Sequence, residues 1–371
     1  MNRDRVLNRF LDYCRLDSVP RKEGPMFRAV TKELDGAGIP WETDDAGKAV
    51  GGEVGNIIAH LPGTTKATPI LINAHIDTVA QGIGVKPEVR DGRVVAVDSG
   101  ILGADDKAAV AALMEAALEL KEGKRQCPPT DVVFTICEEV GLLGAANLDR
   151  TKVRAKMGFV LDSSGAVGGI ILGSPSQDVI QIVVHGQSAH AGAAPEKGIN
   201  AIALAAQAIA KVTWGRLDPE TTCNVGIIHG GEAGNVVPDR VEIRAEARSH
   251  DPAKLERVVR DIRAAFEGEV KQGGGRVDIT VTRIYETYRL TEQHKQLQIV
   301  EAAAQRIGIE TRTALTGGGT DASIFNANGL PSVVIAVGYE NPHTPQEYQV
   351  IDDLYRLVDY TLAIAEEAAR A

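Results

Sequence analysis

Short apolar runs that alternate with a helical pattern constrain the fold of this chain most strongly. The runs PILINA (69–74), DVVFTIC (131–137) and MGFVL (157–161) are almost continuously apolar, which is typical of strands buried on both faces. Between the first two lies DKAAVAALMEAALEL (106–120), an Ala- and Leu-rich segment with an acidic start that favours a helix. Strands that alternate with helices predict an α/β sheet covered by helices on both faces.

A different order of predicted strands and helices in the middle of the chain indicates a second domain. Its segments follow the order strand, helix, strand, strand, helix, strand, which is the ferredoxin-like arrangement. They lie at 178–186, 199–212, 222–231, 240–251, 252–270 and 277–285. About 110 residues fit one such unit, so we expect an α+β domain inserted into the first domain.

The α/β pattern returns after Thr287, which makes the first domain discontinuous. The sequence there predicts a helix at 291–308, a buried strand at 331–338 and a C-terminal helix at 352–370. We therefore predict two domains. Their bounds are 1–177 with 288–371 for the α/β domain, and 178–287 for the inserted domain.

Composition excludes several classes of function. The 371 residues carry 50 acidic and 40 basic side chains, a formal net charge of −10, whereas nucleic acids and anionic membranes bind basic surfaces. No uncharged apolar run approaches the ~20 residues of a transmembrane helix. The charged N-terminus lacks the apolar core of a signal peptide, and four cysteines without a CxxC pair fit a reducing compartment. We expect a cytoplasmic protein that binds neither nucleic acid nor membrane.

Polar side chains follow the predicted strands where each strand ends. AHIDTV places His75 and Asp77 two residues apart after the first apolar run, so both point the same way along an extended chain. GADDKAAVAAL places Asp105 and Asp106 at a helix N-terminus, where capping of the helix is the alternative interpretation. Ligands of α/β sheets bind outside the carboxyl ends of strands, which makes all four side chains candidates for one site.

Three further segments repeat this placement. CEEVGLLGA puts Glu138 and Glu139 after a strand, LDSSG puts Asp162 after the next, and NPHTPQE puts His343 after a late strand. Adjacent carboxylates repel each other near an apolar strand, and a bound cation would relieve this; a solvated turn is the alternative. Mixed histidine and carboxylate donors suit Zn²⁺ or a related first-row metal. Two histidines and three carboxylates could hold two ions with one carboxylate bridging.

Taken in order, these five motifs resemble the di-zinc metallopeptidase family that includes peptidase T, aminoacylase and succinyl-diaminopimelate desuccinylase. The resemblance covers nearly the whole chain and favours the peptidase T-like members. It implies a zinc-peptidase-like three-layer α/β/α catalytic domain with an inserted ferredoxin-like lid or dimerisation domain. It also implies two Zn²⁺ per chain, with Co²⁺ or Mn²⁺ as open alternatives, and a homodimer formed through the lid.

The resemblance assigns a role to each candidate in the α/β domain. His75 and Asp162 would bind one zinc, Glu139 and His343 the other, and Asp105 both. Asp77 would orient His75, and Glu138 would be the general base because it is the carboxylate of its pair that is not a ligand. A cis peptide bond is implied between Asp105 and Asp106.

The inserted domain supplies three candidates for substrate binding. GQSAHAGAAPEKGINAI resembles the family segment whose histidine contacts the scissile carbonyl, here His190. GGEAGNVVPD points to Asn235, and Arg248 in EARSHD matches a position that binds a substrate carboxylate. GGGTDAS (317–323) resembles the family's glycine-rich substrate loop; it lacks the lysine and the spacing of a phosphate-binding P-loop.

The implied activity is hydrolysis of short peptides by a tripeptide aminopeptidase. A metal-bridging hydroxide would attack the peptide carbonyl while Glu138 transfers the proton to the leaving amine. An N-acyl-amino-acid deacylase or a carboxypeptidase of the same family is the alternative, because every member hydrolyses amides with the same core. A non-catalytic metal- or peptide-binding protein is less consistent with the sequence, since a binding protein has no need of Glu138.

Overall fold

The structure is a computed structural model that describes residues 1–97, 100–123 and 125–371. The chain divides into two compact units. One, the α/β unit, comprises Met1–Gly173, Arg289–Thr316 and Thr320–Ala371. The other, the lid unit, comprises Ser174–Tyr288 together with Gly317–Gly319.

Helices and strands are numbered along the chain. The helices are α1 (Arg3–Cys14), α2 (Gly24–Gly36), α3 (Ala46–Val50), α4 (Ala104–Lys121), α5 (Leu143–Ala146), α6 (Ala201–Lys211), α7 (Pro252–Gln272), α8 (Lys295–Arg306), α9 (Asp321–Ala327) and α10 (Ile351–Ala368). The strands are β1 (Trp41–Thr43), β2 (Ile57–Leu61), β3 (Ile70–His75), β4 (Pro87–Arg90), β5 (Arg93–Ala96), β6 (Thr130–Thr135), β7 (Met157–Leu161), β8 (Gly169–Ile171), β9 (Gly173–Ser174), β10 (Ser176–His185), β11 (Gly215–Asp218), β12 (Thr221–Gly230), β13 (Arg240–Ser249), β14 (Arg276–Tyr285), β15 (Tyr288–Arg289), β16 (Arg312–Ala314), β17 (Ser332–Ile335), β18 (Tyr339–Glu340) and β19 (Tyr348–Val350).

The α/β unit is built on an eight-stranded sheet with the order β1-β2-β6-β3-β7-β17-β8-β16. Its central strands β6, β3, β7 and β17 are parallel, and every residue in them is buried. This accounts for the continuous apolar runs in the sequence. Because the central strands are parallel, their carboxyl ends meet at one edge of the sheet.

Helices cover this sheet on both faces. Helix α4 lies against β3 and packs with α1 and α10, and α10 also packs with α8. Helix α9 packs on β7 and β17 and contacts α5. Helix α4 is buried on nearly all sides, which explains why its sequence is Ala- and Leu-rich all round rather than amphipathic. The predicted three-layer α/β/α arrangement is confirmed.

The lid unit has the predicted ferredoxin-like arrangement. Its sheet has the order β11-β12-β13-β10-β14, in which β10, β12, β13 and β14 are the four predicted strands. Helices α6 and α7 pack against each other and against this sheet. Buried side chains that include Ile182, Ile243, Leu255, Ile262 and Phe266 form the core of the unit.

Several elements are absent from the sequence prediction, among them α2, β2 and two small features. Strand β11 forms a hairpin with β12, and a four-stranded sheet has the order β18-β19-β5-β4. These strands are two to four residues long and most of their residues are not buried. Such strands leave no clear two-residue hydrophobic period, which is the signal that predicts a strand.

Candidate metal centre

The ends of the central strands carry most of the predicted ligands. His75 is the last residue of β3, and Asp162 directly follows β7. Glu138 and Glu139 lie in a short 3₁₀ turn, Glu138–Val140, that follows β6. Asp105 lies at the start of α4, and His343 lies in the loop between β18 and β19. The parallel sheet therefore brings together side chains that are far apart in sequence.

Asp105 is the geometric centre of the site. Its Oδ1 lies 3.0 Å from Nε2 of His75, and its Oδ2 lies 3.3 Å from Nε2 of His343. His75 Nε2 is also 3.8 Å from Oδ1 of Asp162, and His343 Nε2 is 3.0 Å from Oε1 of Glu139. The ligand atoms thus form two groups that share Asp105, and within each group they lie within 4.8 Å of one another. One carboxylate with an oxygen in each group has the arrangement required of a bridging ligand.

The imidazole of His75 requires a positive charge, either a proton or a metal ion, between these side chains. Its Nδ1 lies 3.0 Å from the backbone oxygen of Asp77, an atom that can only accept, so Nδ1 carries a proton. The opposite nitrogen, Nε2, then faces carboxylate oxygens of Asp105 and Asp162. Lone pairs facing each other are unfavourable unless a proton or a metal ion lies between them. Burial lowers the pKa of His75, but Asp105 and Asp77 outweigh it and hold this pKa well above its usual value.

Carboxyl groups outnumber imidazoles in this buried cluster. They belong to Asp77, Asp105, Asp106, Glu138, Glu139, Asp162, Asp321 and Glu347. Burial raises the pKa of Asp162 to about 8, that of Glu347 to about 7 and that of Asp321 to about 6. Such shifts are the cost of holding several negative charges away from water, which bound cations offset. The donor set and its charge therefore fit divalent metal ions with mixed nitrogen and oxygen ligation.

Asp105 differs electrostatically from the other carboxyl groups. Burial alone would raise its pKa, but hydrogen bonds from His343 and His75 outweigh burial and hold the pKa of Asp105 below its usual range. The peptide bond that joins it to Asp106 is cis, as the resemblance predicts. Both residues have non-helical backbone angles, so the regular geometry of α4 begins after them.

The turn with the two glutamates is held by carboxylates on two other segments. Asp77 accepts the backbone N–H of Glu138 at 2.9 Å and that of Glu139 at 3.1 Å. Glu23 accepts the N–H of Cys137 at 3.1 Å, and Cys137 has the left-handed φ of 52° that non-glycine residues seldom adopt. Asp77 therefore contacts the glutamate turn through its side chain, and it contacts His75 most closely through its backbone.

Glu138 stands apart from both ligand groups. Its side chain is buried, and burial, followed by repulsion from Asp162, raises its pKa well above the usual value. Its neighbour Glu139 belongs to the second group through Oε1. One turn therefore presents a carboxylate that is a candidate ligand and another that is free for proton transfer.

Sequence reasoning missed four residues around this cluster or misassigned their contacts. Asp106, a capping candidate, accepts the backbone N–H of His75 at 3.1 Å, and Tyr339 donates to Oδ1 of Asp162 at 3.3 Å. Glu347 accepts the N–H groups of Gly103 and Asp105 at 2.7 and 3.0 Å. Asp321, in the segment predicted as a substrate loop, accepts a hydrogen bond from the hydroxyl of Thr135 in the α/β unit. The detectable signal was the spacing of Glu347, four residues after His343.

The lid unit brings two of its three candidates together. Ala191 donates to the backbone oxygen of Asn235 at 2.9 Å, and His190 forms an isolated β-bridge with Val236. Nδ1 of His190 accepts the N–H groups of Gly192 and Ala193, both at 3.1 Å. The neutral ring therefore carries its proton on Nε2, where it can donate a hydrogen bond.

Arg248 lies on β13 and has a carboxylate partner within its own strand. Glu246 receives hydrogen bonds from Nε and Nη2 of Arg248 at 3.1 and 3.0 Å. Nη1 of Arg248 donates to the backbone oxygen of Gly317 at 3.4 Å. The guanidinium is thus oriented by Glu246 and lies beside the glycine-rich segment that the sequence predicts to bind substrate.

Two family models match parts of the chain. A model described as a peptidase dimerisation domain matches residues 179–274, and one described as peptidase family M28 matches residues 56–192. The crystal structure of aminopeptidase PepT from Bacillus cereus resembles this chain with a TM-score of 0.87. The two sequences are 39% identical, and the match covers 100% of this chain and 99% of that one. A tripeptidase structure from Staphylococcus aureus is 35% identical, with a TM-score of 0.92 and full coverage of both chains.

This chain belongs to the M20 family of metallopeptidases. The structure of the YXEP protein of Bacillus subtilis, described as a dinuclear metal-binding peptidase of that family, shares its fold at 18% identity and a TM-score of 0.72, and covers 98% of this chain and 97% of that one. The M20 peptidase is thus an enzyme that hydrolyses peptides, and its α/β unit holds the candidate metal ligands. Among its described helices, no helix has the length and apolar character needed to cross a bilayer.

Proposed function

We propose that this M20 peptidase is a metal-dependent aminopeptidase with tripeptides as its preferred substrates. The observation that carries the proposal is the pair of ligand groups that share Asp105, with Glu138 beside them and outside both. The names of the two structures at 39% and 35% identity, aminopeptidase and tripeptidase, support the substrate class. Both align with essentially the whole chain.

We propose two Zn²⁺ ions as the resident metals. His75 and Asp162 would hold one, Glu139 and His343 the other, and Asp105 would bind both. Bound zinc ions would make a water nucleophilic near neutral pH and stabilise negative charge on the substrate oxygen. Co²⁺ and Mn²⁺ accept the same donors, so metal replacement belongs to the test.

Glu138 acts as the general base and acid in this proposal. Its carboxylate accepts a proton from the attacking water and then delivers it to the amine that leaves. The hydrogen bonds from Glu138 and Glu139 to Asp77 fix the backbone of this turn, so the carboxylate keeps its place during the transfer.

Three residues of the lid unit complete the proposal on the substrate side. His190 donates from Nε2 to the carbonyl oxygen on which negative charge develops. Asn235 binds the peptide through its side-chain amide. Arg248 binds the free carboxylate of the tripeptide, for which its planar guanidinium is well suited.

We also propose that the M20 peptidase is a homodimer formed through the lid unit. The peptidase dimerisation domain model matches residues 179–274. Strand β11 pairs with residues 221–223 of β12. Within the described residues, the part of that edge of β12 that follows Cys223 has no neighbouring strand. Ile202, Ile227 and Ile228 expose 40, 43 and 48% of their surface nearby. An open strand edge with apolar side chains is suited to pairing with a second copy.

The proposed activity is tested with purified protein stripped of metal and then reloaded with Zn²⁺, Co²⁺ or Mn²⁺. Free tripeptides, N-acetylated tripeptides, dipeptides and N-acetyl amino acids are compared, with products identified by mass spectrometry. We expect release of the N-terminal residue from free tripeptides, little cleavage when the amine is acetylated, and no activity without metal. Cleavage of N-acetyl amino acids alone would instead support the deacylase alternative, and release of the C-terminal residue would support a carboxypeptidase.

A further inference from the structure

Glu347 lies beside the candidate metal centre but belongs to neither ligand group. Only 2% of its surface is exposed. Its Oε2 accepts the N–H of Gly103 at 2.7 Å, and its Oε1 accepts the N–H of Asp105 at 3.0 Å. Both oxygens of this carboxylate therefore bind the backbone of the segment that carries the shared ligand.

The segment that Glu347 binds has little conformational freedom. Gly103 has a φ of +71°, and a Cβ at this position would lie 2.9 Å from the Cγ2 of Thr78. Only glycine fits such a position without strain. A buried N–H group there needs an acceptor, and Glu347 supplies it for Gly103 as well as for Asp105.

Glu347 also ends the turn that carries His343. The N–H of Glu347 donates to the backbone oxygen of Thr344 at 3.0 Å. Asn341 and His343 have left-handed φ values of 54° and 62°, which non-glycine residues keep only when the surroundings hold them. The His343 side chain is 50% exposed and is contacted by Asp105 and Glu139 at Nε2, so the place of its backbone depends on this turn.

The two ligand groups differ in how far their positions depend on Glu347. His75 is part of β3 and Asp162 directly follows β7, so the central sheet holds both. The backbone N–H of His75 is in addition bound by Asp106. His343, in contrast, lies in a loop, and Glu347 connects this loop to the backbone of the segment with Asp105.

We infer that Glu347 is a positioning residue that holds Asp105 and His343 at the mutual distance required for a metal ion in the group Asp105, Glu139 and His343. The inference rests on the proposed metal centre. Loss of this carboxylate therefore weakens metal binding at that group more than at the group His75, Asp105 and Asp162. Residues that orient metal ligands typically change metal affinity about 10- to 100-fold when they are replaced.

The test is a calorimetric titration of the metal-free protein with Zn²⁺ and, in parallel, with Co²⁺, whose visible spectrum reports each site as it fills. The variants are Glu347→Ala, Glu347→Gln and the control Gln346→Ala, an exposed neighbour in the same turn. In Glu347→Ala we expect one of the two ions to lose about 10- to 100-fold in affinity, the other to change little, and kcat to fall with KM nearly unchanged. Glu347→Gln keeps one acceptor oxygen and should show a smaller loss, and the control should match the wild type.

Each outcome separates the inference from the proposed function. A wild-type protein that binds no metal would overturn the metal centre itself. If the wild type binds two ions, two results would overturn the role of Glu347. In one, Glu347→Ala binds both ions with wild-type affinity; in the other, it loses the same factor in affinity for both ions. Circular dichroism of the metal-free variants checks their fold, and Glu347→Gln decides the question if Glu347→Ala does not fold.

Discussion

Two adjacent glutamates illustrate how backbone geometry divides chemical roles between identical side chains. In the 3₁₀ turn after β6, Glu139 approaches His343, whereas Glu138 lies outside both ligand groups. Their N–H groups bind opposite oxygens of the same carboxylate, that of Asp77. The fold therefore fixes both side chains from one point, and a conservative change at either position should reveal which of the two binds metal.

We expect Glu138→Gln to reduce kcat by about 10²- to 10⁴-fold, because the amide cannot take a proton from the attacking water. Metal content should remain that of the wild type. The matched control is Glu139→Gln, which should lose metal as well as activity because it removes a ligand. Initial rates on a tripeptide and metal analysis by mass spectrometry check both variants. A Glu138→Gln enzyme with unchanged turnover would show that the base lies elsewhere.

At this scale the sequence predicted which side chains would meet, because His75, Glu139 and Asp162 end or follow buried parallel strands whose ends share an edge, and Asp105 begins the helix that packs beside them. It did not predict Glu347 or the contact that Asp106 makes. Both side chains accept hydrogen bonds from backbone N–H groups of distant residues, and such contacts exist only once the chain has folded. Residue type and spacing carry no signal for them beyond their closeness to a predicted ligand.

Among the elements, α1 and α4 are joined by two ion pairs to one buried carboxylate. Arg5 and Arg9 of α1 bind the carboxylate of Glu115 on α4, with Nε of Arg5 at 2.7 Å and Nη1 of Arg9 at 3.1 Å. The side chain of Glu115 is fully buried, and that of Arg9 is 4% exposed. Burial alone would raise the pKa of Glu115, but hydrogen bonds from Arg5, Asn2 and Arg9 outweigh it and lower this pKa below 4.5.

We expect Glu115→Gln to lower the free energy of unfolding by about 2 kcal/mol at pH 7, because the buried Arg9 loses this partner while its ion pair with Glu33 remains. The folded state lowers this pKa, so the contribution is complete above the pKa of the unfolded chain, near 4.5, and is lost as the pH falls through the folded value. The difference between wild type and variant in urea unfolding should therefore shrink in acid. The control is Glu119→Gln, which removes a more exposed pair with the terminal amine of Met1 and should lower the free energy of unfolding by less than about 1 kcal/mol. If both variants lose the same free energy of unfolding, burial of the pair is not what makes it stabilising.

Helix α7 and the central strands were predicted from the sequence, whereas helix α2 and the short strands were not. Helix α7 has its buried residues at helical spacing, Leu255, Val258, Ile262, Phe266 and Val270, and the prediction for it ends two residues short. Strand β11 exposes or half-exposes all four of its residues. Its pairing with β12 depends on the hairpin rather than on burial, so no apolar pattern identifies it.

For the whole molecule, the open edge of β12 leads to a prediction about assembly. We expect a solution mass near 79 kDa, twice the 39.4 kDa of one chain, by light scattering. Ile228→Glu places a charge among the exposed apolar side chains of that edge and should give monomers. Ile83→Glu, a change of a somewhat more exposed isoleucine in the α/β unit, should remain dimeric. A wild-type mass of one chain would rule out the dimer.

The division of the α/β unit by the lid has a consequence for synthesis of the protein. His75 and His343 are separated by 267 residues, which a ribosome adds in roughly 13–55 seconds at typical rates. Once Asp162 has been added, a nascent chain contains His75, Asp105 and Asp162 but lacks His343, and the place of β17 beside β7 is empty. The second ligand group therefore forms only after His343 has been added, 181 positions beyond Asp162, and the activity that we propose for the shared centre cannot appear in a shorter nascent chain.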